Sequence, residues 1–229
     1  MDSFILDGDK SIAHRVLILC ALSSLESEIY NVPMSQDILA TIGCLRALGS
    51  KIKLNDKSLQ IKGGIFNNIA KINAYESGTT ARLLVGLLAG LDNKSTIVGE
   101  DSLSSRTMTR IIEPLTMMGA KLEHNNGKLP ITIVDGVRSG FIYSQMVPSA
   151  QVKSSVIIAA LASGNDVTIV EKIKTRDHLE RLIESFCPES IKTQSNKVLV
   201  FGSRYRCEKF SISLPGDTSS ASFLILSSL

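Results

Sequence analysis

PSAQVKSSVIIAAL, at residues 148–161, joins a short polar segment to an apolar run that has no polar face. Its leucine and alanine content, and a serine in the position of an N-cap, favour a helix over a buried strand. A helix that is apolar on all sides must be enclosed by other elements. We therefore expect a buried helix that begins near Ser149.

The same junction recurs along the chain at a nearly constant step. It appears as DKSIAHRVLILCAL from Asp9, SGTTARLLVGLLAGL from Ser77 and PGDTSSASFLILSSL from Pro215. The polar segments are separated by 68, 70 and 68 residues when taken at Ser11, Thr79, Ser149 and Asp217. A fixed step of this size indicates an internal structural repeat.

Two further sequence features recur at intervals of 70 residues. An amphipathic segment, typical of a surface helix, begins at Gln36, Arg106 and Arg176. A pair of short β-like runs follows each segment, around turns at Asp56, Asn126 and Asn196. Each repeat therefore contains a buried helix, a surface helix and a β-hairpin.

The repeats predict both the fold class and the division into domains. We expect an α/β fold, α+β in some schemes, of βαβαββ units in a pseudo-threefold arrangement around buried helices that begin near Lys10, Thr79 and Ser149. The fourth copy stops at Leu229, inside an apolar helix. Residues 1–213 are then one domain of three units and 214–229 begin a second, truncated domain, so that the chain is about half of a longer molecule.

The composition excludes several classes of protein. The chain has 229 residues, 44% of them hydrophobic, and a formal net charge of +3, which suits a globular protein and is too weakly basic for a nucleic-acid binder. Its apolar runs, such as 83–91, are far shorter than the roughly 18 residues of a membrane span. Four cysteines without C-x-x-C spacing and no signal peptide predict reduced thiols and a cytoplasmic location.

Neither a metal nor a cofactor is expected. His14, His124 and His178 have no ligand spacing with the cysteines, and we interpret His178 as a hydrogen-bonding residue at a helix start. The G-x-x-x-x-G-K-[ST] and G-x-G-x-x-G motifs of nucleotide-binding proteins are absent. A small anion is the remaining candidate ligand.

Cations stand at the predicted helix starts, where unpaired N–H groups and the helix dipole attract anions. Lys10 and Arg15 oppose the dipole of their own helix, and Arg106 and Arg176 stand at the starts of surface helices. The same polar segments also carry Arg82, Gln151 and Lys153. Capping residues and solvated arginines are the better explanation of any single copy, but their recurrence favours a convergent anion site.

Six motifs, in order, resemble those of one known family: GDKSIAHR, ESGTTARLL, GEDSLSSRTMTRIIEPLTMMGA, VPSAQVKSSVIIAAL, TRDHLERL and PGDTSSASF. From about Leu6 to Leu229 the chain is similar to the amino-terminal half of the 5-enolpyruvylshikimate-3-phosphate synthases, or 3-phosphoshikimate 1-carboxyvinyltransferases. The resemblance implies two similar domains of three βαβαββ units each. It also implies transfer of the enolpyruvyl group of phosphoenolpyruvate to shikimate 3-phosphate, in the shikimate pathway that leads to chorismate and the aromatic amino acids.

The resemblance further implies which residues bind the two anionic substrates. Lys10 would contact both and is the expected catalytic residue. Shikimate 3-phosphate would contact Ser11, Arg15, Ser149, Ala150, Gln151, Thr175 and Arg176, and Gln151 would also reach phosphoenolpyruvate. Gly78 and Arg106 would bind phosphoenolpyruvate. The general base, an aspartate, and a second set of cations belong to the family's carboxy-terminal half, so we expect this chain alone to be inactive.

Other functions remain open. A non-catalytic anion-binding fragment would hold shikimate 3-phosphate without turning it over. A UDP-N-acetylglucosamine enolpyruvyl transferase would share the fold, but it would have Lys-Asn in place of Lys10-Ser11 and a cysteine in a loop near the second unit. A structural repeat protein without a ligand would not explain Lys10, Arg15, Arg106 and Arg176 together.

Overall fold

The computed structural model of this chain describes residues 6–56, 58–64, 66–68, 71–206 and 209–227. Strands in these ranges are β1 (Ser27–Tyr30), β2 (Lys51–Leu54), β3 (Ser58–Lys62), β4 (Ile72–Asn73), β5 (Thr96–Val98), β6 (Lys121–Asn125), β7 (Lys128–Asp135), β8 (Ile142–Gln145), β9 (Asp166–Glu171), β10 (Ile191–Gln194), β11 (Lys197–Phe201) and β12 (Ser211–Ser213). Helices are α1 (Lys10–Ala21), α2 (Gln36–Ala47), α3 (Gly78–Gly90), α4 (Asp101–Ser104), α5 (Thr109–Met117), α6 (Ala150–Ser163), α7 (His178–Phe186) and α8 (Thr218–Ser227). Two short 3-10 helices lie at Pro188–Ser190 and Gly202–Arg204.

Three four-stranded sheets share one topology. Their strand orders are β12-β1-β3-β2, β4-β5-β7-β6 and β8-β9-β11-β10. In each sheet the first two strands are parallel and the other neighbours are antiparallel. The predicted α/β fold of repeated βαβαββ units is therefore confirmed.

The first sheet obtains its leading strand from the far end of the chain. β12 pairs in parallel with β1, with Ile29 opposite Ile212. Close by, Gly8 bridges Gly216, and the Asp9 amide donates to the Pro215 carbonyl at 2.8 Å. The first repeat is thus closed by a strand that lies about 180 residues later in the sequence, because β1 would otherwise present unpaired backbone groups at that edge.

The first helix of each repeat is buried, as the apolar runs predict. α1, α3 and α6 begin within one residue of the expected positions at Lys10, Thr79 and Ser149. Their N-caps are Asp9, Ser77 and Ser149, and each cap side chain accepts a hydrogen bond from a first-turn amide. α3 and α6 approach closely, because Gly86 faces Ser155 and Gly90 faces Ala159 without an intervening side chain.

A chain of buried polar side chains connects the helices of the first two repeats. His14 Nδ1 lies 2.7 Å from Thr41 Oγ1, and Thr41 Oγ1 lies 2.7 Å from Thr80 Oγ1. Thr80 in turn donates to Ser77 Oγ at 2.7 Å. Because buried polar side chains require fixed hydrogen-bond partners, this series of contacts holds α1, α2 and α3 in a defined register behind their N-termini.

The second helices begin later than predicted in two repeats. Arg106 precedes α5 by three residues and Arg176 precedes α7 by two, so neither arginine begins its helix. In the second repeat the Met108 amide donates to the Gly127 carbonyl at 2.7 Å, which holds the chain against the hairpin. In the third, Glu171 accepts from the Thr175 amide at 3.1 Å. These contacts keep both arginines in loops.

Candidate anion-binding site

The first turns of several helices meet at one pocket of about 410 Å³. Its lining residues are Ser11, Arg15, Thr79, Pro148, Ser149, Ala150, Gln151, Thr175, Arg176 and His178. α1, α3, α6 and α7 contribute these residues near their N-terminal ends, together with the loop before α7. The N-terminal amides and two arginines give the pocket the chemistry of an anion site.

Seven of the ten residues predicted from the sequence line this pocket. They are Ser11, Arg15, Ser149, Ala150, Gln151, Thr175 and Arg176. Lys10, Gly78 and Arg106 do not line it. The structure thus brings together every residue that the resemblance assigns to shikimate 3-phosphate, except Lys10, whereas Gly78 and Arg106, assigned to phosphoenolpyruvate alone, do not line the pocket.

Arg15 is held in a fixed orientation at the base of the pocket. Only 4% of the residue is exposed. Its Nε donates to Ser154 Oγ at 3.1 Å and its Nη1 donates to the Ser11 carbonyl at 2.6 Å. Burial lowers the pKa of Arg15 to about 10, with Glu180 acting in the opposite direction, so the guanidinium stays charged at neutral pH.

Gln151 connects the third repeat to the second at the edge of the pocket. Its Nε2 donates to Thr79 Oγ1 at 2.8 Å, and its Oε1 accepts from Arg82 Nη1 at 3.4 Å. Arg82 is half-buried, and burial, followed by the charges of Arg106 and Arg110, lowers its pKa. Arg106 and Arg110 therefore both lie within electrostatic range of Arg82, an arrangement that an anion would stabilise.

Lys10 pairs with an acidic residue instead of lining the pocket. Its Nζ lies 2.6 Å from Asp37 Oδ2, at the start of α2. Burial raises the pKa of Asp37, but the hydrogen bond and charge of Lys10 outweigh it, and the net shift is downward. Asp37, Glu76 and Glu100 line a separate cavity of about 620 Å³. Lys10 is thus held between the anion pocket and an acidic surface.

Gly78 and Arg106 lie on the Arg82 side of the pocket. Gly78 is the first residue of α3, and a Cβ placed there would lie 2.6 Å from Arg82 Nη1. The glycine therefore allows the Arg82 side chain to fold back over the helix start, where Nη1 donates to the Gly78 carbonyl at 3.1 Å. Arg106 is exposed in the loop between α4 and α5.

Three pocket residues were not predicted as ligands. Thr79 and Pro148 belong to the repeated polar segments, so the 70-residue step contained the signal that could have found them. His178 begins α7, as expected of a helix-start residue, but it also faces the pocket. Burial, partly opposed by Asp9, lowers the pKa of His178, and Arg15 and Arg176 lower it further.

Lys153 does not belong to the anion site, although its segment suggested it. Its side chain is 1% exposed and points to Glu171 and Glu180, with Nζ 3.0 Å and 2.5 Å from their respective Oε1 atoms. Two nearby carboxylates already compensate its charge. Sequence proximity to Gln151 was misleading because these two acidic partners come from later elements.

Metal binding and membrane insertion find no support in the described part of the chain. Its histidine, cysteine and acidic side chains form no group of three or more that could hold a metal ion. Cys20, Cys44 and Cys187 are buried, and Cys207 lies outside the described residues. None of the described helices combines the length and apolar character needed to cross a bilayer.

The chain matches known proteins over almost its whole length. Residues 3–229 match the model of the family described as EPSP synthase (3-phosphoshikimate 1-carboxyvinyltransferase). Proteins named 3-phosphoshikimate 1-carboxyvinyltransferase from Thermoanaerobacter sp. and Petrotoga mobilis are 35% and 38% identical to it, over 96% and 98% of this chain. The chain spans about half of their length, 52% and 54%.

A solved structure agrees with the sequence relatives. EPSP synthase from Acinetobacter baumannii superposes with a TM-score of 0.89 at 32% identity, over 97% of this chain and 52% of that protein. The sequence match agrees with the topology of three similar sheets and with the arrangement of helix N-termini around one pocket. This chain belongs to the EPSP synthase (3-phosphoshikimate 1-carboxyvinyltransferase) family.

Proposed function

We propose that this chain is the amino-terminal half of an enzyme that transfers the enolpyruvyl group of phosphoenolpyruvate to shikimate 3-phosphate, with release of phosphate. The observation that carries this proposal is the pocket in which Arg15 of the first repeat meets Ser149, Gln151 and Arg176 of the third. Family membership supports the reaction, and the pocket supports the phosphorylated substrate.

In this proposal shikimate 3-phosphate occupies the 410 Å³ pocket. Arg15 and Arg176 neutralise its phosphate group, and the hydroxyls of Ser11, Ser149 and Thr175 provide further polar contacts. Arg15 suits this role because its Nε and Nη1 are already fixed by Ser154 and Ser11. A cation held in advance loses little side-chain entropy when an anion binds.

Phosphoenolpyruvate, in the same proposal, binds beside the pocket near Lys10, Gly78 and Arg106. Gln151 lies between the two positions, with Thr79 on one side and Arg82 on the other. Lys10 would exchange its ion pair with Asp37 for contact with both substrates. A cation between two anions offsets their repulsion and stabilises charge that develops on the leaving phosphate.

The remaining catalytic groups are assigned to a carboxy-terminal half, which we propose as the essential partner. The share of the relatives that this chain spans, about half, supports that assignment. Residues 1–213 then form one domain and 214–229 begin the second. The proposal includes a cytoplasmic location, which cell fractionation would test.

A non-catalytic anion-binding role is the second candidate, because this chain itself contains the proposed shikimate 3-phosphate pocket but only part of the phosphoenolpyruvate site. Both candidate functions include binding of shikimate 3-phosphate, but only the first includes its conversion to product. The names of the relatives do not favour a UDP-N-acetylglucosamine enolpyruvyl transferase.

Calorimetric titration with shikimate 3-phosphate tests the pocket. We expect the 229-residue chain to bind it weakly, and Arg15→Ala to reduce the affinity by about 1.5–3 kcal/mol, the range of a hydrogen bond to a charged group. Arg138→Ala is the matched control, because Arg138 is an exposed arginine paired with Asp135 away from the pocket. Equal affinities of the unmodified chain and the Arg15→Ala variant would refute the assignment.

A further inference from the structure

Lys153 connects two carboxylates directly behind the anion pocket. It lies in α6, two residues after Gln151, and is 1% exposed. Its Nζ lies 3.0 Å from Glu171 Oε1 and 2.5 Å from Glu180 Oε1. Both glutamates are buried as well. Burial of a charged group costs desolvation free energy, and a buried ion pair recovers that cost only with favourable geometry. Three buried charged groups in contact therefore need an explanation beyond stability.

The two glutamates lie on opposite sides of the loop that carries part of the pocket. Glu171 ends β9, Glu180 lies in the first turn of α7, and the loop of residues 172–177 joins these two elements. The same Glu171 Oε1 that meets Lys153 accepts from the Thr175 amide at 3.1 Å and from Thr175 Oγ1 at 2.7 Å. Lys153 is therefore linked to both ends of the 172–177 loop and, through Glu171, to Thr175.

Lys153 also compensates the negative charge of Glu180. Burial raises the pKa of Glu180, and the charge and hydrogen bond of Lys153 act against that increase. Glu180 is close enough to Arg15 to raise the pKa of that guanidinium. The negative charge of Glu180 is balanced by Lys153, its direct ion-pair partner. Arg15 makes its own hydrogen bonds to Ser154 and Ser11 at the pocket.

We propose that Lys153 is a positioning residue for the anion site: it fixes the 172–177 loop through Glu171 and Glu180, so that Thr175 and Arg176 face the pocket. This inference rests on the proposed function, in which those two residues contact shikimate 3-phosphate. Lys153 itself, buried behind the loop, does not touch the substrate.

Hydrogen exchange tests the loop without any ligand. In Lys153→Met, the Thr175 amide should exchange about tenfold faster or more, because the carboxylate that accepts its hydrogen bond loses its cation, while amides in the middle of α3 keep their protection. Lys192→Met is the matched control, since it removes an exposed lysine from β10 of the same repeat. Unchanged exchange at Thr175 in a folded Lys153→Met variant would overturn the proposal.

A double-mutant cycle separates positioning from general stability. Lys153→Met should weaken shikimate 3-phosphate binding about tenfold in the unmodified chain, but much less in the Arg176→Ala background, because the contact it positions is already gone. Equal losses in both backgrounds would contradict a role through the loop.

Glu171→Gln keeps the proposal testable if Lys153→Met does not fold. This change preserves the shape of the side chain, leaves Lys153 paired with Glu180, and removes the charge from the acceptor of Thr175. Faster exchange at Thr175 is again expected, and unchanged exchange would count against the proposal. If the unmodified chain binds no shikimate 3-phosphate, the proposed function fails, and exchange at Thr175 alone decides whether Lys153 holds the loop.

Discussion

At the scale of single residues, His14 is a group whose charge state the fold controls. It is almost fully buried, with Nδ1 bonded to Thr41 and Nε2 without a hydrogen-bond partner in the described structure. Burial lowers the pKa of His14 to about 3, with Asp37 partly opposing the shift. The imidazole therefore stays neutral in the folded chain, whereas it titrates near pH 6.5 in the unfolded chain.

His14 should make the chain less stable in mild acid. As pH falls below about 6.5, the unfolded state binds a proton that the folded state does not take up until about pH 3, so stability is present above pH 6.5 and lost below it. Between pH 7 and pH 5 the loss from this residue is about 2 kcal/mol. His14→Gln, which does not titrate, should show a correspondingly smaller loss in urea unfolding at the two pH values. An identical decline in both proteins would contradict the assignment.

At the scale of elements, the close packing of α3 against α6 depends on glycine. A Cβ at Gly86 would overlap both Ser155 O and Ser155 Oγ, and a Cβ at Gly90 would lie 2.6 Å from the Ala159 carbonyl oxygen. Gly86 lies inside α3, where glycine is about 1 kcal/mol less favourable than alanine, and Gly90 is the last residue of that helix. The contact between the helices outweighs that cost, because both helices must reach the same pocket with their N-termini.

Gly86→Ala should therefore destabilise the chain although it improves helix propensity. We expect a loss of about 1–3 kcal/mol in the free energy of unfolding, since α3 and α6 must separate to admit the methyl group. Gly43→Ala in α2 is the matched control, because nothing lies within 4 Å of its Cβ position. That change should stabilise by about 0.5–1 kcal/mol. Urea unfolding of both variants measures the contrast, and a stabilising Gly86→Ala would show that the helices are not in tight contact.

At the scale of the whole molecule, the described residues form three repeats, each with its own sheet, followed by α8. In the proposed function, a carboxy-terminal domain completes the enzyme. The reaction that we propose needs groups from that domain. In the proposed function, catalysis requires both halves, whereas shikimate 3-phosphate binds to this half.

Reconstitution tests this division. The chain alone should release no phosphate from phosphoenolpyruvate and shikimate 3-phosphate, and a separately prepared carboxy-terminal half should restore some release. Lys10→Met should abolish the restored rate, because a neutral side chain cannot offset the repulsion of two anions. Lys121→Met, an exposed change in β6, should not. Phosphate release by the chain alone, or a fully active Lys10→Met mixture, would place the chemistry elsewhere.

The repeat, the buried helices and the presence of an anion site were predictable from local order in the sequence, whereas the individual site residues were assigned through the family's motifs. A helix that is apolar on every side is buried in any fold, and a step of about 70 residues places equivalent cations at equivalent helix starts. Arg15, Gln151 and Arg176 were assigned to shikimate 3-phosphate by the family resemblance, and all three line the pocket.

Only the tertiary structure decided where each charged side chain points and which strand completes the first sheet. Arg15 and Lys153 occupy similar polar helix starts in the sequence, yet Arg15 lines the pocket and Lys153 is turned inward by Glu171 and Glu180. β12 completes the first sheet from the other end of the chain. Local periodicity fixes which face of an element is buried, but the partner of a charge or of a strand edge is chosen by residues far away in sequence, and only folding brings them within reach.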